Sequence, residues 1–296
     1  MTYQEFKENI YSSIAERCDQ SAEVHISTFT KNNGVQLDGL VIYDRDNPVS
    51  PTLYLNDFYP MITKGMSLEE VTDRIFLTYQ KAKKDSIFDP DILSNFSMIK
   101  DKIIFKLVNQ KSNTTLLKEI PYLEYLDLAI VFAIMIPIHE ELGSILIRNS
   151  FLDDWGVTTE ELFEFAKVNT YQLLQPEITP IESILTDMLP TEEKELFGDL
   201  TPAYPMYVFT NEKRIAGAGV ICYPDLLKHF SESLDCDFYI LPSSIHEVIV
   251  IPMLSSIDLN SLSEMVQQVN ATQVAPEEIL SDHAYYYLRE KNAVMF

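Results

Sequence analysis

Ser243, Ser244, His246 and Glu247 are the closest set of side chains in this chain that resembles catalytic machinery. They lie in the stretch Leu241-Pro242-Ser243-Ser244-Ile245-His246-Glu247-Val248, between two apolar runs. A hydroxyl, an imidazole and a carboxylate are the parts of a nucleophile, its base and the group that orients the base. The spacing argues against that use. Triads are assembled from distant segments, and these residues sit within five positions. No Gly-x-Ser-x-Gly elbow raises a serine on a strained turn. The alternative reading is a turn whose serine hydroxyls bond nearby backbone.

The other candidate motifs are incomplete. His139-Glu140-Glu141 begins like a zinc-binding helix, but Gly143 stands where the second histidine belongs. The five histidines, His25, His139, His229, His246 and His283, are scattered, so the sequence implies no metal and no cofactor. Gly217-Ala218-Gly219 lacks the third glycine of a phosphate loop, because Cys222 takes that position. A bulged or closely packed strand is the expected structure there. Cys18, Cys222 and Cys236 are odd in number and widely spaced, which fits three reduced thiols. Lys81, Lys83 and Lys84, then Lys100, Lys102, Lys106 and Lys111, are the basic clusters, read as a solvated helix end and a solvated strand face.

The elements that position these residues follow from local patterns. Phe6, Ile10 and Ile14 fall on one helical stripe. Val24, Ile26 and Thr28 alternate with polar neighbours, and Asn33-Gly34 then leads into Val35, Leu37, Val41 and Tyr43: a β-hairpin. Ser67 with Glu70, and Thr158 with Glu161, are capping boxes that open two more helices. Strands are expected at Ile103–Val108, Leu128–Ile136, Ser144–Arg148, Met206–Thr210, Phe238–Leu241 and Glu247–Ile251. Helices are expected around Leu226–Leu234 and Leu259–Val269, and Ala284–Leu288 is β-prone. The expected class is α+β, with mixed sheets, flanking helices and two lobes, residues 1–120 and 121–296. Residues 176–205 read as a Pro-rich acidic connector holding a short helix near Ile181–Met188.

Charge divides the chain at the same place. The net charge is −23. Residues 1–120 contribute −3, and residues 121–296, with 8 basic and 28 acidic side chains, contribute −20. Such a field repels phosphate and favours basic partners. Direct nucleic-acid binding is not expected. The expected partner is a basic protein or a second copy of the chain. The candidate contact residues are Glu177, Glu182, Asp187, Glu192, Glu193, Glu195 and Asp199. The longest apolar run, Leu128–Ile138, is too short for a membrane span, which needs about 20 residues. The polar N-terminal segment has no basic region ahead of an apolar stretch, so a cytoplasmic protein is expected.

Three segments carry a family resemblance. They are Asp127–Ile138; Trp155-Gly156-Val157-Thr158-Thr159-Glu160-Glu161-Leu162 with Ala166, Asn169 and Thr170; and Phe238 to Val248. Pro51–Asp57 and Leu280–His283 with the tyrosines that follow extend it over nearly the whole chain. On these residues the chain resembles the clostridial family known as domain of unknown function 5688. The resemblance implies a bacterial cytosolic protein with one recurring α+β plan, and it assigns no residue a catalytic role. The reading that results is a non-catalytic interaction or regulatory module with an acidic surface, including an inhibitor that competes with nucleic acid for a basic groove. The alternative is a hydrolase-like enzyme built on residues 243–247.

Overall fold

The computed structural model describes residues 1–19, 22–43, 50–85, 90–138, 141–188, 205–254 and 257–296. Packing divides the chain into two compact units, residues 1–98 with 136–143, and residues 99–135 with 144–296. Pro121 lies inside the second unit.

In the first unit, α1 (Tyr3–Arg17) starts at Thr2. The Thr2 hydroxyl accepts from the Glu5 amide, and the Glu5 carboxylate accepts from the Thr2 amide. Phe6, Ile10 and Ile14 point inward and are fully buried. Each contributes about 1.5–3 kcal/mol by leaving water. They pack on the hairpin of β1 (Glu23–Thr30) and β2 (Gln36–Tyr43). Asn33 and Gly34 both take positive φ at its turn, as a tight reversal demands. β3 (Thr52–Tyr54) completes a sheet in the order β1-β2-β3. Gly39 on β2 has no room for a side chain, since a Cβ would meet Thr52 and the Phe29 ring. α2 (Leu55–Thr63) and α3 (Leu68–Asp85) close the core. Ser67 and Glu70 cap α3 reciprocally, as the sequence predicts.

Lys7 of α1 holds Asp38 of β2 at 2.8 Å, and the Thr28 hydroxyl donates to the same carboxylate. The Lys7 ammonium, then the Thr28 hydrogen bond, hold the Asp38 carboxyl below the usual carboxylate range.

Among the described residues, two further sheets are built chiefly from the second unit. β4 (Ile103–Asn109) follows α4 (Phe96–Ile99). It pairs with β6 (Leu128–Ile138), which also pairs with β5 (Tyr122–Tyr125) and β7 (Glu141–Leu146). α5 (Asn149–Trp155) precedes α6 (Thr159–Leu173), whose predicted capping box at Thr158 and Glu161 is present. α6 is fastened to β4 by polar side chains. The Asn169 amide donates to the Lys100 and Ile103 carbonyls at 2.7 and 3.1 Å, and Thr170 accepts from the Phe105 amide at 3.0 Å.

The larger sheet runs β13-β12-β10-β11-β9-β8. Its strands are β8 (Pro176–Pro180), β9 (Tyr207–Asn211), β10 (Phe238–Leu241), β11 (Val248–Pro252), β12 (Tyr285–Leu288) and β13 (Ala293–Met295). β8 falls where a loop-rich connector was expected; α7 (Ile181–Met188) follows it, as predicted. Prolines at both ends of β8 are tolerated because it is an edge strand.

The class is α+β, and the sheets are antiparallel where mixed sheets were expected. The reason lies in the crossovers. α8 (Leu226–Leu234) joins β9 to β10, which run parallel, but β11 lies between them. α9 (Leu259–Gln273) joins β11 to β12 in the same way across β10. Each helical crossover steps over one strand, so nearest neighbours oppose.

All four residues of β10 are buried. Phe238 meets Phe230 of α8, while Tyr239 and Leu241 meet Leu262 and Val266 of α9. A strand covered on both faces reads as a continuous apolar run.

Asp127, in the β5–β6 turn, ties the two sheets together. Its carboxylate accepts from the Tyr285 hydroxyl and, at 2.8 Å, from the Ser281 hydroxyl. Asn109 and Asn270 donate to the Leu280 and Ser281 carbonyls beside it.

Two stability measurements follow. Asp127→Ala removes the acceptor of two buried hydroxyl donors, Tyr285 and Ser281, and costs about 3 kcal/mol in urea unfolding. Asp38→Asn costs roughly 1 kcal/mol at pH 7. Because Asp38 titrates lower in the folded state, its contribution is complete above about pH 4 and disappears as pH falls through the folded value. The gap between wild type and Asp38→Asn therefore closes in acid, read from denaturation midpoints at pH 7, 4 and 2.5.

Candidate functional site

The Ser243–Glu247 segment forms a turn closed by main-chain bonds. Pro242 and Ser243 carbonyls accept from the Ser281 and Leu280 amides, and Ile245 donates to the Glu278 carbonyl. Ser244 bridges to Ile279, is buried, and uses its hydroxyl to accept from the His246 amide at 3.0 Å. The His246 ring faces the Arg214 carbonyl through Nδ1 at 3.3 Å and the Glu278 carboxylate through Nε2 at 3.4 Å. Its carboxylate neighbour is thus Glu278, not Glu247, and neither ring nitrogen meets a serine hydroxyl. The geometry is that of a structural turn.

Gly217 explains the neighbouring glycine pair. Residues 217–222 form a buried 3-10 turn rather than the expected strand. A Cβ on Gly217 would sit 2.2 Å from the His246 carbonyl oxygen and 2.1 Å from Thr210 Oγ1. Thr210 itself donates to that carbonyl at 2.8 Å. Close backbone approach is what the glycine provides; no phosphate geometry is involved.

Of the acidic candidates, Glu177 on β8 and Glu182 on α7 are half-buried, and Asp187 is exposed. Glu192, Glu193, Glu195 and Asp199 lie outside the described residues, as do His139 and Glu140. Among the described residues no group of three or more His, Cys, Asp and Glu side chains converges to hold a metal ion. No helix among them is long and apolar enough to cross a membrane.

A cavity that no sequence motif indicated lies in the second unit. It measures about 550 Å³. Tyr125, Phe163, Cys222 and Tyr223 line it, with Asp225 and Lys228 of α8 among the charged residues around it. Cys222 touches this space and is half-buried, and the surrounding burial pushes its thiol up to about 12, against a hydrogen bond with the Tyr125 hydroxyl. Burial and the neighbouring Cys222 raise Tyr125 as well. A thiol held protonated in this way reacts slowly and serves as a packing group and weak hydrogen-bond partner. Only the assembled turn 217–222 and strand β5 bring Cys222 and Tyr125 together, so their separation in sequence concealed the pair.

The family model described as "Family of unknown function (DUF5688)" matches residues 3–289. The chain belongs to that family. No curated protein and no solved structure matches it. The family carries no assigned chemistry, so the functional argument rests on the chain's own geometry.

Alkylation tests the inert character of Cys222. At pH 8, iodoacetamide is expected to modify it on the order of 10³-fold more slowly than an unperturbed peptide thiol, with the difference lost in denaturant. Peptide mass mapping reads the rate at each cysteine.

Proposed function

We propose that the chain is a non-catalytic interaction module whose second unit takes a basic protein partner. The observation that carries this reading is the outer face of α6. Phe165, Val168, Tyr171 and Leu173 are large apolar residues left 36%, 56%, 44% and 40% exposed. A shallow pocket of about 350 Å³ runs along the helix between Glu164, Val168, Tyr171 and Pro224. Exposed apolar surface with a polar margin is characteristic of protein contact sites.

The margin is acidic. Asp153, Asp154, Glu160 and Glu164 are exposed at or ahead of the start of α6. The unit has few cations to balance them, and several are engaged locally. Arg148 pairs with Glu119, Lys167 with Glu164 at 2.8 Å, and Arg289 with Asp235 at 2.8 Å. Apolar anchors supply affinity, and the surrounding carboxylates select a basic partner and speed its approach. A protein that offers a nucleic-acid-binding groove fits this description, in which case the chain acts as an inhibitor. The cytoplasm is the compartment this reading assumes.

The test is capture from native cytosol at 50 and 300 mM salt, comparing wild type with Val168→Asp/Tyr171→Ser. The expected result is one or more basic proteins retained by wild type, weakened about tenfold at the higher salt, and lost with the variant although its melting temperature is preserved. Retention by the variant, or indifference to salt, rules this surface out. Added duplex DNA releases the partner if the contacted groove is the nucleic-acid site.

A further inference from the structure

The sheet of the first unit leaves β1 at one edge. β1 is eight residues long, whereas β3 at the other edge has only three. β1 pairs with β2 in unbroken register from Glu23–Tyr43 to Thr30–Gln36, so no bulge bends it. It contains no proline and no lysine, the usual guards of an open edge. The direction of its main-chain groups follows from the turn. The Lys31 amide donates to the Val35 carbonyl, so Lys31 faces β2. Main-chain groups alternate sides along a strand. Phe29, Ser27 and His25 therefore face β2 as well, and Val24, Ile26, Thr28 and Thr30 face outward. The Asp38 amide, opposite Thr28, agrees with this, since it bonds Asn56 rather than β1. Among the described residues, no other strand pairs with this edge. A hollow of about 590 Å³ between α1 and β1, lined by Lys7, Glu8, Tyr11, Val24 and Ile26, keeps α1 clear of it.

The geometry points to β1 as the surface through which a second copy of this chain docks, edge to edge and antiparallel about a two-fold axis at Ser27. A two-fold contact must be self-complementary, and β1 meets that condition in one register. Ile26 then lies opposite Thr28 of the second copy, and Val24 opposite Thr30. These are the outward-facing residues, so each pair exchanges two N–H···O=C bonds. The same register sets Glu23 opposite Lys31 on either side of the axis, with both side chains on one sheet face. Lys31 keeps an extended backbone. Its ammonium lies 3.9 Å from the centre of the Tyr54 ring, and rotation of the flexible stem carries it to that carboxylate. Sliding the copies two residues either way loses the ion pair, because Glu23 then meets Phe29, or Lys31 meets His25. Unlike charges directly opposite each other favour a strand pairing. Net charge favours the same end of the chain. Residues 1–120, which hold β1, carry −3 of the total −23, so a copy approaching there meets little of the repulsion. The contact uses neither α6 nor its acidic margin, and its failure would leave that interaction reading untouched.

Sedimentation equilibrium of the full-length protein between about 5 and 500 µM covers the weak affinity that an edge contact supplies. Wild type is expected to pass from monomer to dimer over this range. Glu23→Lys or Lys31→Glu sets like charges opposite each other and weakens the dimer about tenfold with the melting temperature preserved. Glu23→Lys/Lys31→Glu restores it. Thr28→Pro removes an outward amide that β2 does not use, and abolishes the dimer. Residue-resolved hydrogen exchange reads the same edge. The Val24, Ile26 and Thr28 amides should slow as concentration rises, while those of Ser27 and Phe29, bonded to β2, stay slow throughout. Monomer at every concentration, a charge exchange that fails to restore association, or a dimer that survives Thr28→Pro would each overturn the proposal. So would exchange at Ile26 and Thr28 that ignores concentration. If Thr28→Pro unfolds, the charge cycle and wild-type exchange decide.

Discussion

The pair of hydroxyl bonds to the half-buried Asp127 carboxylate is the constraint around which the second unit is organised. A carboxylate partly withdrawn from water needs hydrogen bonds to replace the hydration it loses. Tyr285 and Ser281 supply those bonds, and both belong to a segment more than 150 positions away in sequence. Tyr285 begins β12, the neighbour of β10 in the larger sheet. The turn that closes β5 onto β6 thus fixes where the last part of the chain enters the other sheet. Because Tyr285 is buried beside this negative charge, burial and then Asp127 hold its hydroxyl protonated well above its usual range. It remains a donor throughout the physiological range, so the tie does not depend on pH there.

The same segment determines the character of the Ser243–Glu247 turn. Residues 278–281 accept from or donate to the backbone of residues 242–245, and this leaves the turn little freedom to reposition its side chains. Ser244 spends its hydroxyl on local backbone, and the His246 carbonyl is taken by Thr210 beside Gly217. Polar residues within an apolar frame therefore need not signal catalysis. Here they satisfy main-chain groups that would otherwise be buried without partners. Hydrogen-bond capacity already used inside the fold is unavailable for substrate.

What could be read from sequence divides by range. The Thr158 and Ser67 capping boxes, the Asn33-Gly34 hairpin and the α8 and α9 stripes involve residues within a few positions of each other, and all appear as expected. The antiparallel order of the larger sheet was hidden, since α8 and α9 each cross over one intervening strand. Strand β8 was hidden too: Pro176 and Pro180 look like breakers unless the strand is known to lie at an edge. The Asp127 tie, the Tyr125–Cys222 pair and the Lys106–Ser144 contact join separate elements and leave no local pattern. Of the acidic candidates, Glu177 and Glu182 proved half-buried, because a carboxylate's sequence position does not tell how far its strand or helix withdraws it from solvent.

Desolvation acts with opposite consequences on the two groups in the second unit that are chemically most interesting. Burial always disfavours the charged form. For the half-buried Cys222 the charged form is the reactive thiolate, so desolvation lowers its reactivity. For Lys106 the charged form is the ammonium, so partial burial favours the neutral amine. A half-buried cysteine and a half-buried lysine are therefore not equivalent, even though both stand out as perturbed. The thiol contributes to packing around its cavity, whereas the amine sits half-buried beside the exposed Ser144 hydroxyl.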